Sequence, residues 1–311
     1  MKILIIDEMH NSIIPLLESE GFIVDYRPEI EREEIEQIIQ GYDGLIIRSK
    51  TPMDKPLLSQ ATQLKFIGRA GAGIDKIDLE YLEERGIQLY NAPEGNRDAV
   101  AEHALGMLLA LFNHIPQADR QVREKIWKRE LNRGEELAGK TVGIFGFGNM
   151  GEAFAKRLQG FDVRILAYDK YRSGFGGRGV EEVSFEEIQQ EADILSIHVP
   201  LTAETKNFFT LEVLEKFRKS FYLINTARGE VVSLDTLNRA LDSGKLRGAL
   251  LDVLEKEKLA QLDPTLEQAF QKLAERPNVL FSPHVAGWTF QSYEKINKVL
   301  VSKVLTGIKN L

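Results

Sequence analysis

Between Lys140 and Asp169 the chain runs KTVGIFGFGNMGEAFAKRLQGFDVRILAYD, an order of residues with few structural solutions. Val142 to Phe145 is an apolar run with the length and composition of a buried strand. Gly146-Phe147-Gly148-Asn149-Met150-Gly151 follows, a G-x-G-x-x-G, and Ala153, Phe154, Arg157 and Leu158 then recur at helical spacing. Val163 to Ala167 predicts a second strand, running out to Asp169. Strand, glycine turn, helix, strand and acid is the order a dinucleotide site requires. Gly146 permits the tight turn, Gly148 lets backbone approach a pyrophosphate, and Gly151 lets helix and strand close on each other. The helix start offers N–H groups and a positive dipole end to phosphates. Asp169, about 20 residues on, is placed to accept hydrogen bonds from ribose hydroxyls. A carboxylate there repels the extra phosphate of NADP, so NAD is the expected cofactor, with Lys170 and Arg172 as nearby cations that oppose the preference.

A chain of 311 residues suggests two domains, and 43% hydrophobic content is ample for two cores. A net charge of −7 and a pI near 5.5 give no basic footprint, so no nucleic-acid partner is expected. With no cysteine, disulfides, thiol catalysis and cysteine-ligated metals are excluded, and no metal site is expected. The N-terminal MKILIIDE is too short an apolar run for a signal peptide, and no run approaches the roughly 20 residues of a membrane span. The expectation is a soluble, cytoplasmic protein with no membrane partner.

The first part alternates strand and helix. Ile3 to Ile6, Phe22 to Tyr26, Gly44 to Ile47, Leu64 to Ile67 and Ile87 to Tyr90 predict strands, with helical faces at Ile13, Leu16 and Leu17 and at Ile35, Ile38 and Ile39. Such alternation predicts a parallel sheet with helices on its faces. Asn96 to about Glu130 predicts one long helix, apolar nearly all round from Val100 to Phe112 and therefore buried between domains or subunits. His103 within it is expected to be a packed or hydrogen-bonded helix residue. After Asp169, strands are predicted at Ile194 to Val199, Phe221 to Asn225, Arg247 to Val253 and Val279 to Phe281, with a last helix beyond Thr289. The charged stretch from Lys256 to Arg276 predicts a peripheral helical excursion with a solvated face.

In an open α/β sheet, functional groups gather where loops leave the carboxyl ends of strands. Arg228, Glu257 and His284 stand at three such exits. An arginine can hold a carboxylate bidentately and polarise a carbonyl. A histidine can exchange a proton near neutral pH, and a glutamate beside it would fix the ring.

Gly143 to Gly151, His198-Val-Pro-Leu-Thr202, Asn225-Thr-Ala-Arg-Gly229, Gly248-Ala-Leu-Leu-Asp-Val253 and Ser282-Pro-His-Val-Ala-Gly287 together resemble the D-isomer-specific 2-hydroxyacid dehydrogenase family. Gly68-Arg-Ala-Gly-Ala-Gly-Ile-Asp75 and Asn96-Arg-Asp-Ala-Val-Ala-Glu102 extend the likeness through nearly the whole chain. The resemblance implies an α/β fold of two Rossmann-like domains. One is a doubly wound, NAD-binding parallel sheet over 98–287; the other is a discontinuous, flavodoxin-like substrate domain of 1–97 completed by 288–311. It implies hydride transfer with Arg228 binding substrate and His284 as acid/base, supported by Glu257. Cofactor contacts are implied at Asn149, Met150, Asp169, Val199, Thr226, Ala227 and Asp252, beside Gly146, Gly148 and Gly151. The backbone around Ala72 and Gly73 would meet the substrate carboxylate, domain closure would hinge near Pro93 to Arg97 and near His284, and a homodimer would form through the Asn96 helix region.

Within the family the likeness is strongest to the branch that oxidises 3-phosphoglycerate, in serine biosynthesis. Its marks are Leu45-Ile-Ile-Arg-Ser-Lys-Thr51, Gly68-Arg-Ala-Gly71 and Trp127-Lys-Arg129. Arg48, Arg69 and Arg129 match arginines that face the substrate's phosphate in some members; otherwise Arg48 and Arg129 would pair with surface acids. Glyoxylate or hydroxypyruvate reduction is the alternative activity, and an NAD-sensing corepressor-like protein the non-enzymatic one. No segment resembling a serine-binding regulatory domain follows residue 311, so feedback control through one is not expected. Lys76 stands where the family usually has asparagine, Lys258 where it commonly has proline, and Trp288 puts a large aromatic just past His284.

Overall fold

The computed structural model describes residues 1–309, which divide into two units, Met1–Arg97 with the C-terminal segment from Trp288, and Asp98–Gly287. In the first unit, β1 (Lys2–Ile5), β2 (Ile23–Tyr26), β3 (Gly44–Ile47), β4 (Phe66–Arg69) and β5 (Gln88–Asn91) form one sheet in the order β2-β1-β3-β4-β5. Every pairing is parallel, and this order is that of flavodoxin-like sheets. Helices α1 (Ile13–Glu18), α2 (Arg32–Ile38), α3 (Lys55–Leu58) and α4 (Leu79–Arg85) make the connections. β3 is buried at all four positions, which is why it reads as an uninterrupted apolar run.

The C-terminal helix, Phe290–Ile308, belongs to this unit because its apolar stripe completes the sheet's core. Ile296, Leu300, Val301 and Val304 lie with Ile3, Ile5, Ile46 and Phe66 in one buried cluster. Gly68 in β4 makes room for it, since a Cβ there would stand 3.3 Å from Ile46 and 3.4 Å from Leu300. β4 begins two residues later than Leu64 and runs on to Arg69, so that Arg69 ends the strand.

The next helix, α5, spans Pro93–Phe112, and the division between the units falls within it. Its first turn uses Pro93, whose ring suits a helix start. The long helix expected from Asn96 to Glu130 is in fact broken after Phe112. His114 takes a left-handed backbone (φ 51°), and α6 (Ile115–Arg123) starts afresh with Pro116 in its first turn. The segment from Glu124 to Ala138 is irregular except for a short 3-10 turn. Ala101, Ala104, Met107, Leu108, Leu111 and Phe112 pack into the second unit's own core, while Glu102 and Gly106 are exposed.

That unit carries β6 (Thr141–Phe145), β7 (Arg164–Tyr168), β8 (Val180–Glu182), β9 (Ile194–Ile197), β10 (Phe221–Asn225), β11 (Leu246–Leu251) and β12 (Val279–Phe281). Helices α7 (Asn149–Leu158), α8 (Phe185–Glu191), α9 (Leu211–Glu215), α10 (Leu234–Asp242) and α11 (Pro264–Ala274) cover its faces. The order β12-β11-β10-β9-β6-β7-β8 is parallel throughout, the doubly wound arrangement with one strand added at the edge. Order reverses between β6 and β9, and there the crevice of such a sheet opens. β8 has no counterpart among the expected strands, being three residues long with two exposed glutamates. α11 is not merely a solvated excursion: Leu266, Ala269, Phe270 and Leu273 join the core, and Asn238 Nδ2 donates to the Ala269 carbonyl at 2.8 Å. Among the described residues no helix is long and apolar enough to cross a membrane.

Two glycines of α5 separate packing from propensity. At Gly95 a Cβ would stand 2.6 Å from Ile296 Cα, whereas at Gly106 none would meet anything within 4 Å. Gly95→Ala is therefore expected to lower stability by about 1–3 kcal/mol, and Gly106→Ala to raise it by up to about 1 kcal/mol. Urea denaturation of the two variants checks the pair; equal effects would deny the close helix contact.

Candidate active site

At Gly146 and Gly151 the turn meets the steric demands read from its sequence. Gly146 has φ 95°, and a Cβ on it would come within 2.6 Å of the His198 carbonyl oxygen across the switch point. At Gly151 a Cβ would stand 2.3 Å from the Gly146 carbonyl oxygen, so only glycine lets α7 start so close to β6. Gly148 faces open space, and no side chain caps the start of α7 behind it. Asn149 and Met150 are the first residues of that helix. This is the cradle a pyrophosphate fits.

Asp169 also ties the turn together. Its Oδ2 accepts from the Phe147 N–H at 2.8 Å, and its Oδ1 from the N–H groups of Tyr171 and Arg172 at 2.9 and 3.0 Å. The two flanking cations are already neutralised. Lys170 pairs with Glu204 and Arg172 with Glu152, each at 2.8 Å, and Arg172 also donates to the Phe147 carbonyl. The carboxylate thus keeps its preference for a ribose diol over a 2′-phosphate.

On the other side of the switch point, His198 follows β9, with Nε2 at 2.8 Å from Ser196 Oγ and its ring against Phe154. Burial pushes its imidazole down to about 4, so it stays neutral and is no acid/base candidate at neutral pH. Val199, next in the chain, is half-buried.

The turn after β10 is held by Asn225, which is almost fully buried. Its Oδ1 accepts from the Ala227 N–H at 3.0 Å and its Nδ2 donates to the Arg228 carbonyl at 2.9 Å. Thr226 Oγ1 in that turn is buried with no hydrogen-bond partner among the described residues, an orphaned atom that a ligand could satisfy. Arg228 Nη1 donates to the Ala227 carbonyl at 2.6 Å. Gly229 then lies so close to the backbone after β11 that a Cβ would stand 1.9 Å from Leu254 C. The Arg228 loop is thereby seated beside the loop that leads to Glu257.

Asp252, at the end of β11, governs the loop after β12. Its carboxylate accepts from Ser282 Oγ at 2.6 Å and from the N–H groups of Val285 and Ala286 at 2.9 Å, while its carbonyl accepts the His284 N–H at 2.8 Å. Both carboxylate oxygens, assigned from the sequence to the cofactor, have protein donors. With the Ser282 proton on Asp252, His103 Nε2 donates to Ser282 Oγ at 2.8 Å, a hydrogen-bonded helix histidine as expected. Held in this way, His284 takes a left-handed backbone (φ 54°), a conformation that persists where surroundings over-determine it. Its Nδ1 is 2.7 Å from Glu257 Oε1. With the proton of Nδ1 on the carboxylate side, Nε2 is the nitrogen able to exchange a proton. Asn225, Ser282 and Gly229 did not stand out in the sequence as residues with a part in the site. Only the flanking Asn-Thr-Ala-Arg-Gly and Ser-Pro-His strings marked them.

The residues assigned to substrate on the first unit also lie at strand exits. Arg48 follows β3 and Arg69 ends β4, adjacent strands in which Ile47 is paired with Arg69. Arg69 folds back over Gly71, where a Cβ would stand 1.6 Å from Nη1. The carbonyls of Gly71 and Ala72 accept from Ala92 N–H and Asn91 Nδ2, and the N–H groups of Ala72 and Gly73 meet no acceptor among the described residues. The Arg48 guanidinium stacks 4.3 Å from the Trp288 ring and 4.9 Å from the Tyr293 ring, contacts worth about 0.5–1 kcal/mol each at exposed sites. Trp288 packs on Tyr293 of the last helix. Arg129 is exposed on the irregular segment after α6. Neither Arg48 nor Arg129 forms an ion pair among the described residues, against the alternative that surface acids hold them. Nor do the described residues include a cluster able to hold a metal ion.

Doubly wound sheet, phosphate-ready glycine turn and a histidine–glutamate pair at neighbouring strand exits define the class of a nicotinamide-dinucleotide protein. Residues 105–286 match the NAD-binding domain of the D-isomer specific 2-hydroxyacid dehydrogenases, and the chain belongs to that family. It is 35% identical to D-3-phosphoglycerate dehydrogenase of Bacillus subtilis, over all of this chain and 57% of that one. It is 34% identical to hydroxypyruvate reductase of Thermotoga maritima, over 88% of each. Among solved structures, D-lactate dehydrogenase of Aquifex aeolicus, complexed with NAD and lactic acid, superposes with a TM-score of 0.83. The two are 27% identical, over all of this chain and 96% of that one. The chain spans under two thirds of the length of the phosphoglycerate dehydrogenases of Archaeoglobus fulgidus and Bacillus subtilis, 58% and 57%.

Gly148 offers a clean test of the cradle. Because a Cβ there meets no protein atom, Gly148→Ala is expected to leave the melting temperature unchanged while weakening NAD binding about tenfold or more. Calorimetric titration checks it, and unaltered affinity would mean that the pyrophosphate does not approach this backbone.

Proposed function

We propose that the protein is an NAD-dependent D-2-hydroxyacid dehydrogenase whose preferred pair is 3-phosphoglycerate and 3-phosphohydroxypyruvate, the first step of serine biosynthesis. The observation that carries the chemistry is the His284 Nδ1–Glu257 contact of 2.7 Å, which leaves Nε2 for proton exchange. A bound nicotinamide supplies the hydride acceptor or donor. In oxidation the hydroxyl proton of the substrate passes to His284 Nε2 while the C2 hydrogen departs as hydride and the C–O bond becomes a carbonyl. Protons and electrons then balance, with one proton on histidine and two electrons and one hydrogen on the cofactor. Glu257 holds the ring throughout and offsets its charge once protonated. Arg228 binds the carboxylate and polarises the carbonyl oxygen. The Ala72 and Gly73 N–H groups take a carboxylate oxygen. In reduction the same groups run in reverse.

Arg48, Arg69 and Arg129 are assigned to the phosphate of the substrate. Support comes from Arg48 and Arg129 having no ion pair among the described residues and from the strand-end placement of Arg48 and Arg69. Reduction of unphosphorylated 2-keto acids such as hydroxypyruvate or glyoxylate is the second reading, favoured by the even coverage of the hydroxypyruvate reductase relative. A homodimer is also proposed. α6 has no buried residue, and Ile115, Val122, Trp127 and Leu131 expose from 52 to 78% of their surface on it and the segment after it.

His284→Ala is expected to lower kcat by about 10²–10⁴-fold with NAD affinity kept within a few-fold, read by NADH absorbance and calorimetry. Unchanged turnover would remove this histidine from the mechanism. For assembly, sedimentation of wild type is expected to give a dimer, and a Val122→Glu, Leu131→Glu double variant a monomer; a monomeric wild type would refute it.

A further inference from the structure

The start of the C-terminal helix is built as a capping box. The Thr289 side chain accepts from the Ser292 N–H at 3.0 Å, and Ser292 Oγ in turn accepts from the Thr289 N–H at 2.9 Å. Relative to this cap, Trp288 is the residue before it and Tyr293 the fourth residue of the helix, the two positions of a hydrophobic staple. Their rings stack, 6.0 Å apart and inclined by only 19°. Trp288 is nonetheless 61% exposed, so core packing does not account for it. What the two rings do hold is the guanidinium of Arg48. Tyr293 Oη donates to the Glu8 carbonyl at 3.1 Å, and buried Asp7 accepts the Arg48 backbone N–H at 2.7 Å. Backbone and guanidinium are thus both held; Nη1 makes a long contact to the Glu8 carbonyl at 3.4 Å, and the other N–H donors are left for hydrogen bonding.

The surroundings of Arg48 are cationic. Lys50 Nζ donates to the Pro28 and Ile30 carbonyls, and Lys76 Nζ to the Ser49 carbonyl at 2.9 Å. One carboxylate lies at the loop, that of Asp7, which accepts from the backbone N–H groups of Arg48 and Lys50, but none of the Arg48, Lys50 and Lys76 side chains forms an ion pair among the described residues. Three cationic side chains against the one Asp7 carboxylate leave a local excess of positive charge in a chain of 47 acidic and 40 basic residues, and that excess favours an anion.

We propose that Trp288 and Tyr293 are positioning residues that clamp Arg48 for the second, distal anionic group of the substrate, making the staple a determinant of preference for phosphorylated acids. This rests on the reading that Arg48 faces the substrate's phosphate, and the two can fail separately. An arginine is entropically costly to immobilise, and two aromatic faces set its orientation before the ligand arrives.

The test is steady-state kinetics with phosphohydroxypyruvate and hydroxypyruvate in parallel, for Arg48→Ala, Trp288→Ala and Trp288→Phe. Trp288→Ala is expected to raise KM for the phosphorylated acid about tenfold, to change KM for the other less than twofold, and to leave both kcat values nearly unaltered. Trp288→Phe should recover most of the loss. Equal change in both substrates, or none, while Arg48→Ala remains selective for the phosphorylated acid, overturns the clamp and spares the function. An unselective Arg48→Ala overturns both. Should Trp288→Ala not fold, Trp288 can be read in place. The chain has two tryptophans, so in Trp127→Phe protein the emission belongs to Trp288. 3-Phosphoglycerate should change that emission and glycerate should not; silence with 3-phosphoglycerate at saturation overturns the proposal.

Discussion

The candidate chemistry depends on one buried carboxylate. Asp252 gathers a hydroxyl and two backbone N–H groups onto its two oxygens, and its own carbonyl takes the His284 N–H. A buried charge of this kind is tolerable only when its lone pairs are filled. Filling them dictates the path of the chain from Ser282 to Ala286. The left-handed backbone of His284 lies on that path, a conformation uncommon for non-glycine residues that these hydrogen bonds hold in place. The ring is then left with its two side-chain torsions, and the contact of Nδ1 with Glu257 restrains them. The nitrogen proposed for proton transfer is thus restrained by the protein's own contacts.

The same economy recurs at the cofactor turn. Asp169 reads as a ribose acceptor from the sequence, yet it also anchors the turn through the Phe147 N–H and its own loop through two more. A substitution there would change the shape of the cradle as well as its preference for NAD. On the first unit the pattern is inverted. Around Arg48 the lysines spend their hydrogen bonds on carbonyls, which fixes their positions while leaving the positive charge unspent.

Residues that act through local spacing were legible in the chain itself. Gly146 and Gly151 did what their positions demanded, and the alternation of apolar runs with helical faces predicted parallel sheets. Features set by long-range contact were not. β8 is too short and too charged to show as a strand, and it forms only because β7 offers a partner. The break after Phe112 turns on a left-handed His114 that no periodicity marks, although Pro116 was a visible hint. α11 looked solvated because its apolar residues are spaced among charges, and the core that receives them comes from elsewhere in the chain. The clamp of Asn225 on the Arg228 turn is equally invisible, since an asparagine ending a strand has many possible partners. Trp288 was conspicuous as an unusual residue, but its stacking with Arg48 joins residues 240 positions apart.

Direct transfer of hydrogen from C2 of a D-2-hydroxy acid to the nicotinamide is the claim on which all of this turns. It is tested most directly by offering the protein NAD with 3-phosphoglycerate deuterated at C2, in ordinary water, and examining the NADH by mass spectrometry and proton NMR. The account predicts one deuterium per reduced nicotinamide, on a single face of its C4, and none arriving from deuterated water in the converse experiment. Reduced cofactor without the label, or no reduction with any D-2-hydroxy acid despite bound NAD, would contradict it.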